Sequence, residues 1–373
     1  MGALSRFTML DLSRQLPGPF ASTILADLGM DVLMVTAPTD PMGLGIPLLG
    51  RNKRSLTLNL KSPEGRQIFH QLAKTADVVL EGGRPGGAKK LGVDYDTLAA
   101  INPGIVYCSI SGYGQDGPYR DRVGHDVNYL GFAGVIDVTG TPGALPAIPG
   151  VQIADIGGGG LVAVAGILAA LLARGDGGRG QYVDIGMMDG AVAWQVINVF
   201  NLLAQGATAK RGDTMLTGRY PCYAVYETKD GRHVTVGAVE PHFWRNLCVQ
   251  LGVPEFADLQ YTDSERHRMF EVLRAKFREK TMAEWVAQLV DQDICFGPVN
   301  TVEEMLDDPQ VRHRRMVVEL DGRRTLGNPV KLSATPPEIT TPPPAMGEHT
   351  DAVLHQLGYS DGDIAGLRAR GVV

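Results

Sequence analysis

The chain has 373 residues, 44% of them apolar and 20% charged, enough for a large core and too apolar for intrinsic disorder as its main state. Its formal charge of -6 comes without a basic stripe, which argues against a nucleic-acid partner. Four scattered cysteines (Cys108, Cys222, Cys248, Cys295) form no CxxC pair, which argues against a zinc module or a disulfide scaffold and fits a reducing compartment.

The N-terminus shows no secretory pattern, and Arg6 stands where a myristoylation signal needs Ser or Thr. The longest apolar run, Leu161 to Ala173, is shorter than the roughly 20 residues a membrane span needs. The expectation is a cytoplasmic protein with no membrane partner. Thr8-Met-Leu-Asp-Leu12 reads as a strand, Pro17-Gly-Pro19 as a turn and Phe20 to Leu28 as a helix. Asp31 to Val35 is a second strand, Pro63 to Ala73 a helix, Asp77 to Leu80 and Ile105 to Ile110 further strands. Such alternation predicts right-handed crossovers and a mostly parallel sheet. Asp155 and four glycines then open an apolar helix from Leu161 to Ala173; Gln181 to Asp184 is a strand, and Gly190 to Ala204 a helix.

After about Asn201 the pattern changes. Tyr223–Thr228 and His233–Gly237 flank Lys229-Asp-Gly-Arg232, a hairpin, and three charged helical stretches follow around 243–251, 265–280 and 282–292. Gly297-Pro-Val299 reads as a loop, Val302 onward as a helix returning to the first domain, and 351–370 as a terminal helix pair. The predicted organisation is a large Rossmann-like α/β domain over 1–200, completed by 330–373. A linker (201–222), a smaller α+β domain (223–300) and a returning linker (301–329) make up the rest.

Four segments carry candidate chemistry. Gly112-Tyr-Gly-Gln-Asp-Gly117 follows a strand, but no helix-forming run follows it, so it reads as a glycine turn and not a dinucleotide fingerprint. His125 lies just beyond, in a polar loop on an α/β scaffold, where function concentrates. Asp155 could be a plain helix N-cap, yet capping does not explain four glycines after it; those would let another group approach the backbone. Glu240, before Pro241, could also be a capping carboxylate. Together, His125 and Asp155 put two acid/base groups on consecutive loops of one domain, and Glu240 from the second domain could hold His125 in one tautomer.

With these segments in view, the chain resembles the family III CoA-transferase superfamily, and within it the α-methylacyl-CoA racemase branch. The superfamily features are Leu16-Pro-Gly-Pro-Phe20, Leu25-Ala-Asp-Leu-Gly29, Arg51-Asn-Lys-Arg-Ser55, Leu58-Asn-Leu-Lys61 and Arg84-Pro-Gly86. Gly178-Arg-Gly-Gln-Tyr-Val-Asp184, Gly347-Glu-His-Thr-Asp351 and Leu357-Gly-Tyr-Ser360 complete the set. The racemase-type features are Gly124-His-Asp-Val-Asn-Tyr129, Ala154-Asp-Ile-Gly-Gly-Gly-Gly160 and Val236-Gly-Ala-Val-Glu-Pro241. The resemblance implies an interlocked homodimer and a substrate that is an acyl-CoA, with no separate cofactor and no metal. It implies His125 and Asp155 as the acid/base pair, Glu240 as partner of His125, and the Asp126 amide as a donor to the thioester oxygen. It places acyl-CoA along Leu58, Asn59, Leu60 and Lys61 and along Gly124, Asn128 and Tyr129, with Arg84 and Lys90 near CoA phosphates. The implied reaction inverts the α-carbon of a 2-methylacyl-CoA. The transferase alternative makes Asp155 a nucleophile that forms an acyl anhydride and then an enzyme-CoA thioester; a non-catalytic acyl-CoA-binding protein is a third reading. Three positions depart from the racemase pattern. Ala37 replaces a basic residue, Gly83 an aromatic one, and Thr217-Gly-Arg-Tyr-Pro-Cys222 an Asp-Gly-Gly-Ala-Pro stretch near the acyl group, so that Arg219 and Tyr220 could reshape the acyl pocket.

Overall fold

The computed structural model describes residues 2–40 and 45–373. It divides into two compact units: Met1–Val135, Pro149–Val196 and Pro309–Val373 form the first, and Ile136–Ile148 with Ile197–Asp308 the second. Residues 136–148, expected in the large domain, thus belong with the second unit.

The first unit is built on six parallel strands: β1 (Thr8–Asp11), β2 (Asp31–Thr36), β3 (Lys53–Thr57), β4 (Val78–Glu81), β5 (Val106–Ser111) and β6 (Tyr182–Gly186). Their order is β3-β2-β1-β4-β5-β6. The order reverses between β1 and β4, and in such sheets ligands bind beyond the carboxyl ends of the strands at that reversal. Strands covered on both faces read as continuous apolar runs, which is why β2, β4 and β5 were legible.

β3 was not legible. Its sequence Lys-Arg-Ser-Leu-Thr opens with two charged residues, the first of which is nonetheless inside. Lys53 Nζ is buried, donating to the Pro19 carbonyl (3.0 Å) and to Ser22 Oγ (2.7 Å), 3.7 Å from Asp11 Oδ2. The Arg51 guanidinium, just ahead, is buried in a two-pronged pair with Asp27 (3.1 and 2.7 Å). Buried charge survives only when paired, so these residues hide a core strand behind a surface-like pattern. The outer edge of β3 is covered by the C-terminal segment: the Ser55 amide donates to His349 Nδ1 (3.2 Å), the His349 amide to the Ser55 carbonyl (2.9 Å), and the Thr57 amide to Thr350 Oγ1 (3.1 Å). The tail motif Gly347–Asp351 therefore closes an open sheet edge.

The apolar run expected to begin at Leu161 begins earlier. Ile153–Leu161 forms a π-helical segment continuous with the helix Val162–Arg174. The combined 22 residues are long and apolar enough to cross a membrane by length alone, but half of the apolar window is buried against the protein. Its neighbours include the Pro17–Asp27 helix and strand β5, the setting of a core helix. The helix expected over Gly190–Ala204 is two, Met187–Ala193 and Val196–Gln205, separated at Trp194-Gln195.

The second unit holds a three-stranded sheet of β7 (Tyr223–Glu227), β8 (His233–Gly237) and β9 (Phe296–Pro298), all antiparallel. The expected loop at Gly297-Pro-Val299 is thus partly the edge strand β9, where a proline is tolerated. Helices Pro241–Leu251, Arg266–Phe277 and Met282–Leu289 bury Trp244, Phe277 and Trp285 against this sheet. The expected returning linker holds a hairpin, β10 (Val317–Leu320) and β11 (Arg323–Leu326), which lies in the first unit.

Candidate active site

His125 is the N-cap of the helix Asp126–Phe132, and its amide donates to Asn128 Oδ1 (3.0 Å). Tyr129, buried, donates its hydroxyl to the Gly124 carbonyl (2.5 Å). A Cβ on Gly124 would stand 2.8 Å from the Tyr129 ring and 2.9 Å from the Tyr113 hydroxyl. Gly124, Asn128 and Tyr129 thus set the turn that presents His125, whose own side chain is exposed.

Asp155 was expected on a loop before a helix. It lies inside the first turn of the π-helical segment, whose N-cap is Gln152. It is not a capping carboxylate: its Oδ1 is buried without a hydrogen-bond partner. The backbone beneath it is held by Asp126, a buried residue whose Oδ1 accepts from the amides of Ala154 (2.7 Å) and Asp155 (3.0 Å). One carboxylate thereby ties the His125 turn to the Asp155 turn. Burial, then the Asp126 charge, push the Asp155 carboxyl up to about 6, against an opposing pull from His125. A carboxyl with this pKa can both take and give a proton near neutrality. The Asp126 amide, at the first helical position, has no acceptor within its own helix.

Removing the Asp126 charge should therefore lower the Asp155 pKa. In Asp126→Asn the acid limb of the kcat/KM profile moves to lower pH; a limb that stays in place or moves upward contradicts this electrostatic reading.

The four glycines have a reason the sequence did not show. A Cβ on Gly157 would meet the Trp194 ring at 2.2 Å, on Gly158 the Met187 carbonyl at 2.6 Å, on Gly159 Met187 Cγ at 2.8 Å, and on Gly160 the Pro17 carbonyl at 2.9 Å. The groups approaching this backbone come from the protein itself.

Leu58, Asn59, Leu60 and Lys61 line a cavity of about 460 Å³ with Arg14, Ala37, Glu81, Gly82, Gly83 and Gly371. Apart from Glu81, which ends β4, and Gly371 from the C-terminal segment, these residues follow the carboxyl ends of β1 to β4, the ligand position expected of this sheet order. Arg84 and Lys90 are not on its wall, nor are Gly124, Asn128 and Tyr129. Two wall residues escaped sequence reasoning. Arg14, paired with Asp40 at 2.6 Å, places a cation in the cavity that lacks one at Ala37. Glu81 is buried, accepts from Ser109 Oγ (2.5 Å) and the Gly83 amide (2.6 Å), and has its carboxyl pKa raised by burial. A charged residue closing an otherwise apolar strand was the available signal. A larger cavity of about 1520 Å³ lies within the second unit and contains neither His125 nor Asp155.

Glu240 lies in the second unit as the N-cap of helix Pro241–Leu251, but its side chain makes no capping bond. The capping explanation for this carboxylate fails. Arg219 and Tyr220, expected to face an acyl group, have their polar ends engaged by Asp263: the guanidinium at 3.1 Å to both oxygens and the hydroxyl at 3.1 Å.

The model of the family described as CoA-transferase family III matches residues 4–350. The chain belongs to CoA-transferase family III. Two curated members show its range. The chain is 34% identical to an alpha-methylacyl-CoA racemase of Homo sapiens, over 100% of this chain and 97% of that protein. It is 33% identical to a succinyl-CoA:glutarate CoA-transferase of Mus musculus, over 100% of this chain and 91% of that protein. A CAIB/BAIF family protein from Brucella suis shares the fold with a TM-score of 0.85 and 30% identity, covering 95% of this chain and 99% of that one. As a family III protein this chain is an enzyme of the CoA-transferase and racemase superfamily, and an acyl-CoA substrate suits the family. Identity alone does not choose between the two reactions.

Proposed function

We propose that this family III enzyme is a racemase that inverts the α-carbon of a 2-methylacyl-CoA by 1,1-proton transfer. The observation that carries the reading is the state of Asp155: half-buried, with one bare oxygen and a carboxyl pKa raised to about 6, beside His125. A nucleophilic carboxylate gains from being fully ionised, whereas a group that alternately takes and returns a proton gains from a pKa near the working pH.

The cavity along Leu58–Lys61 would hold the CoA portion. The thioester makes the α-hydrogen acidic, but far less so than His or Asp, so the enolate needs stabilising. The Asp126 amide would donate to the thioester oxygen; a donor in such a role is worth roughly 3 kcal/mol. His125 and Asp155 would serve opposite faces of the planar enolate, one removing the proton and the other returning one. Glu240 would hold the His125 imidazole in a single tautomer and stabilise its protonated form. The same reading brings with it an interlocked homodimer. The helix Val196–Gln205, whose apolar residues are exposed, Phe200 by 59% and Leu203 by 80%, supports a partner covering it.

Lys61 is exposed at the cavity, so Lys61→Ala should raise KM for the acyl-CoA about fivefold with kcat unchanged, the pattern of a lost uniform binding contact. Equal KM values for the two proteins would remove Lys61 from the CoA site. The reaction class is tested by incubating the enzyme with acyl-CoA, with and without a free carboxylic acid, and mapping Asp155 by mass spectrometry. The proposal expects turnover without an acceptor acid and an unmodified Asp155. Turnover only with the acid, with CoA attached at Asp155, would establish the transferase instead.

A further inference from the structure

The segment that departs from the racemase pattern, Thr217–Cys222, has a place in the second unit that suggests its use. Strand β8 ends at Gly237, and Ala238-Val239 lead directly into Glu240. The carbonyls of these two linking residues are gripped by side chains from 260 and 261. Gln260 Nε2, on a buried side chain, donates to the Ala238 carbonyl (2.9 Å) and the Val239 carbonyl (2.8 Å). The Tyr261 hydroxyl donates to the same Val239 carbonyl and lies 3.2 Å from Gln260 Nε2. The Val239 carbonyl belongs to the peptide group that enters Glu240, so holding it fixes where the Glu240 side chain starts.

Tyr261 is itself braced by the departing segment. The Tyr220 ring meets the Tyr261 ring edge-on, with centroids 5.2 Å apart. The Tyr220 hydroxyl donates to Asp263 Oδ1, and Arg219 closes the unit by spanning Asp263 and Asp213, at 3.1 and 3.4 Å. Arg266 holds Asp213 from the other side at 2.9 Å. A side chain at 220 too small to reach Asp263 and the Tyr261 ring, such as alanine, could not form this brace.

We propose that Gln260 and Tyr261, braced by Tyr220, Asp263 and Arg219, are positioning residues that fix the Glu240 carboxylate for its catalytic role. This rests on the reading of Glu240 as the partner of His125. The function assigned to Arg219 and Tyr220 is therefore to aim a carboxylate, not to select an acyl chain.

The test uses the full-length enzyme and two readouts. Tyr261→Phe keeps the ring and removes the hydroxyl, and with it the bond to the Val239 carbonyl and the contacts with Gln260 Nε2 and Cys222. It should lower kcat about 5- to 10-fold, the equivalent of one hydrogen bond of ordinary net strength, with KM for a 2-methylacyl-CoA unchanged. In a Glu240→Gln background the same substitution should have no further effect on kcat, because its action passes through Glu240. Amide hydrogen exchange across residues 239–243 should accelerate about tenfold in Tyr261→Phe, while that of β7 stays unchanged. Tyr220→Phe, which loses the hydroxyl bonds to Asp263 and Arg219 but keeps the ring, should show the same two effects more weakly and serves if Tyr261→Phe does not fold. An equal kcat loss in both backgrounds, or unchanged exchange at 239–243, overturns the positioning role. If Glu240→Gln or the wild-type reaction fails to behave as the racemase reading requires, the role of Glu240 falls. The exchange rates at 239–243 then decide by themselves whether these residues fix that segment.

Discussion

In Asp155→Ala, and separately in His125→Ala, racemisation falls by about 10² to 10⁴-fold, the contribution of a positioned acid/base group. The two losses have a signature that separates this account from any single-base scheme. With one base removed, the other can still take the α-proton of the enantiomer it faces, exchange it with solvent and return it to the same side. Each variant should then catalyse hydrogen exchange of one enantiomer with retention, the two variants should choose opposite enantiomers, and inversion should be lost in both. The pH dependence has a defined sign. Asp155, at about 6, is ionised above that pH and protonated below it. When it acts as base, kcat/KM falls as pH drops through 6; when it acts as acid, its protonated form is depleted as pH rises through 6. The Asp155-dependent limb is absent from the retained exchange of Asp155→Ala. Near-normal inversion in either variant would end the two-base scheme.

The second large effect is on the fold that carries Asp155. A Cβ at Gly190 would stand 2.3 Å from Gly158 Cα and 2.5 Å from the Gly158 carbonyl oxygen; one at Gly158 would stand 2.6 Å from the Met187 carbonyl and 3.1 Å from the Ala191 amide nitrogen. These are backbone atoms, so no rotamer change relieves the clash, and the two helices must separate. Gly190→Ala should cost about 3 kcal/mol, the upper part of the overpacking range, and lower Tm by roughly 4–6 °C. Because the displaced segment carries Asp155, activity should fall with it. Gly150, where an added Cβ meets nothing within 4 Å, is the control: Gly150→Ala should leave Tm nearly unchanged. A Tm for Gly190→Ala close to that of the wild type would show that the two glycines do not define a tight helix crossing.

His125, Asp155 and Glu240 stand out in the sequence as candidates because each is a polar group that its local structure does not fully explain. The structure sharpens this for two of them: Asp155 has a bare buried oxygen, and the Glu240 side chain caps nothing. The glycines after Asp155 were legible as an anomaly but not in cause, because their neighbours Pro17, Phe20, Met187 and Trp194 are distant in sequence. Strand β3 was hidden by buried Lys53 and the adjacent Arg51, whose partners Asp11 and Asp27 come from elsewhere. The β10–β11 hairpin, by contrast, had a local signal. Asp321-Gly322 takes positive φ at both residues, 50° and 69°, and Asp-Gly between two short alternating runs is the turn such hairpins prefer. The side chain of Asp126 was underread: its amide was assigned a task, while its carboxylate links two turns 28 and 29 residues apart. No spacing pattern reports a bond of that kind.

The claim that proton transfer at the α-carbon is the chemistry of this enzyme is tested most directly in D₂O. A single enantiomer of a 2-methylacyl-CoA is incubated with the wild-type protein, without free carboxylic acid, and deuterium content and optical purity are followed together. The account predicts deuterium uptake at the α-carbon with parallel loss of optical purity. An α-hydrogen that stays in place, with optical purity preserved, would contradict it.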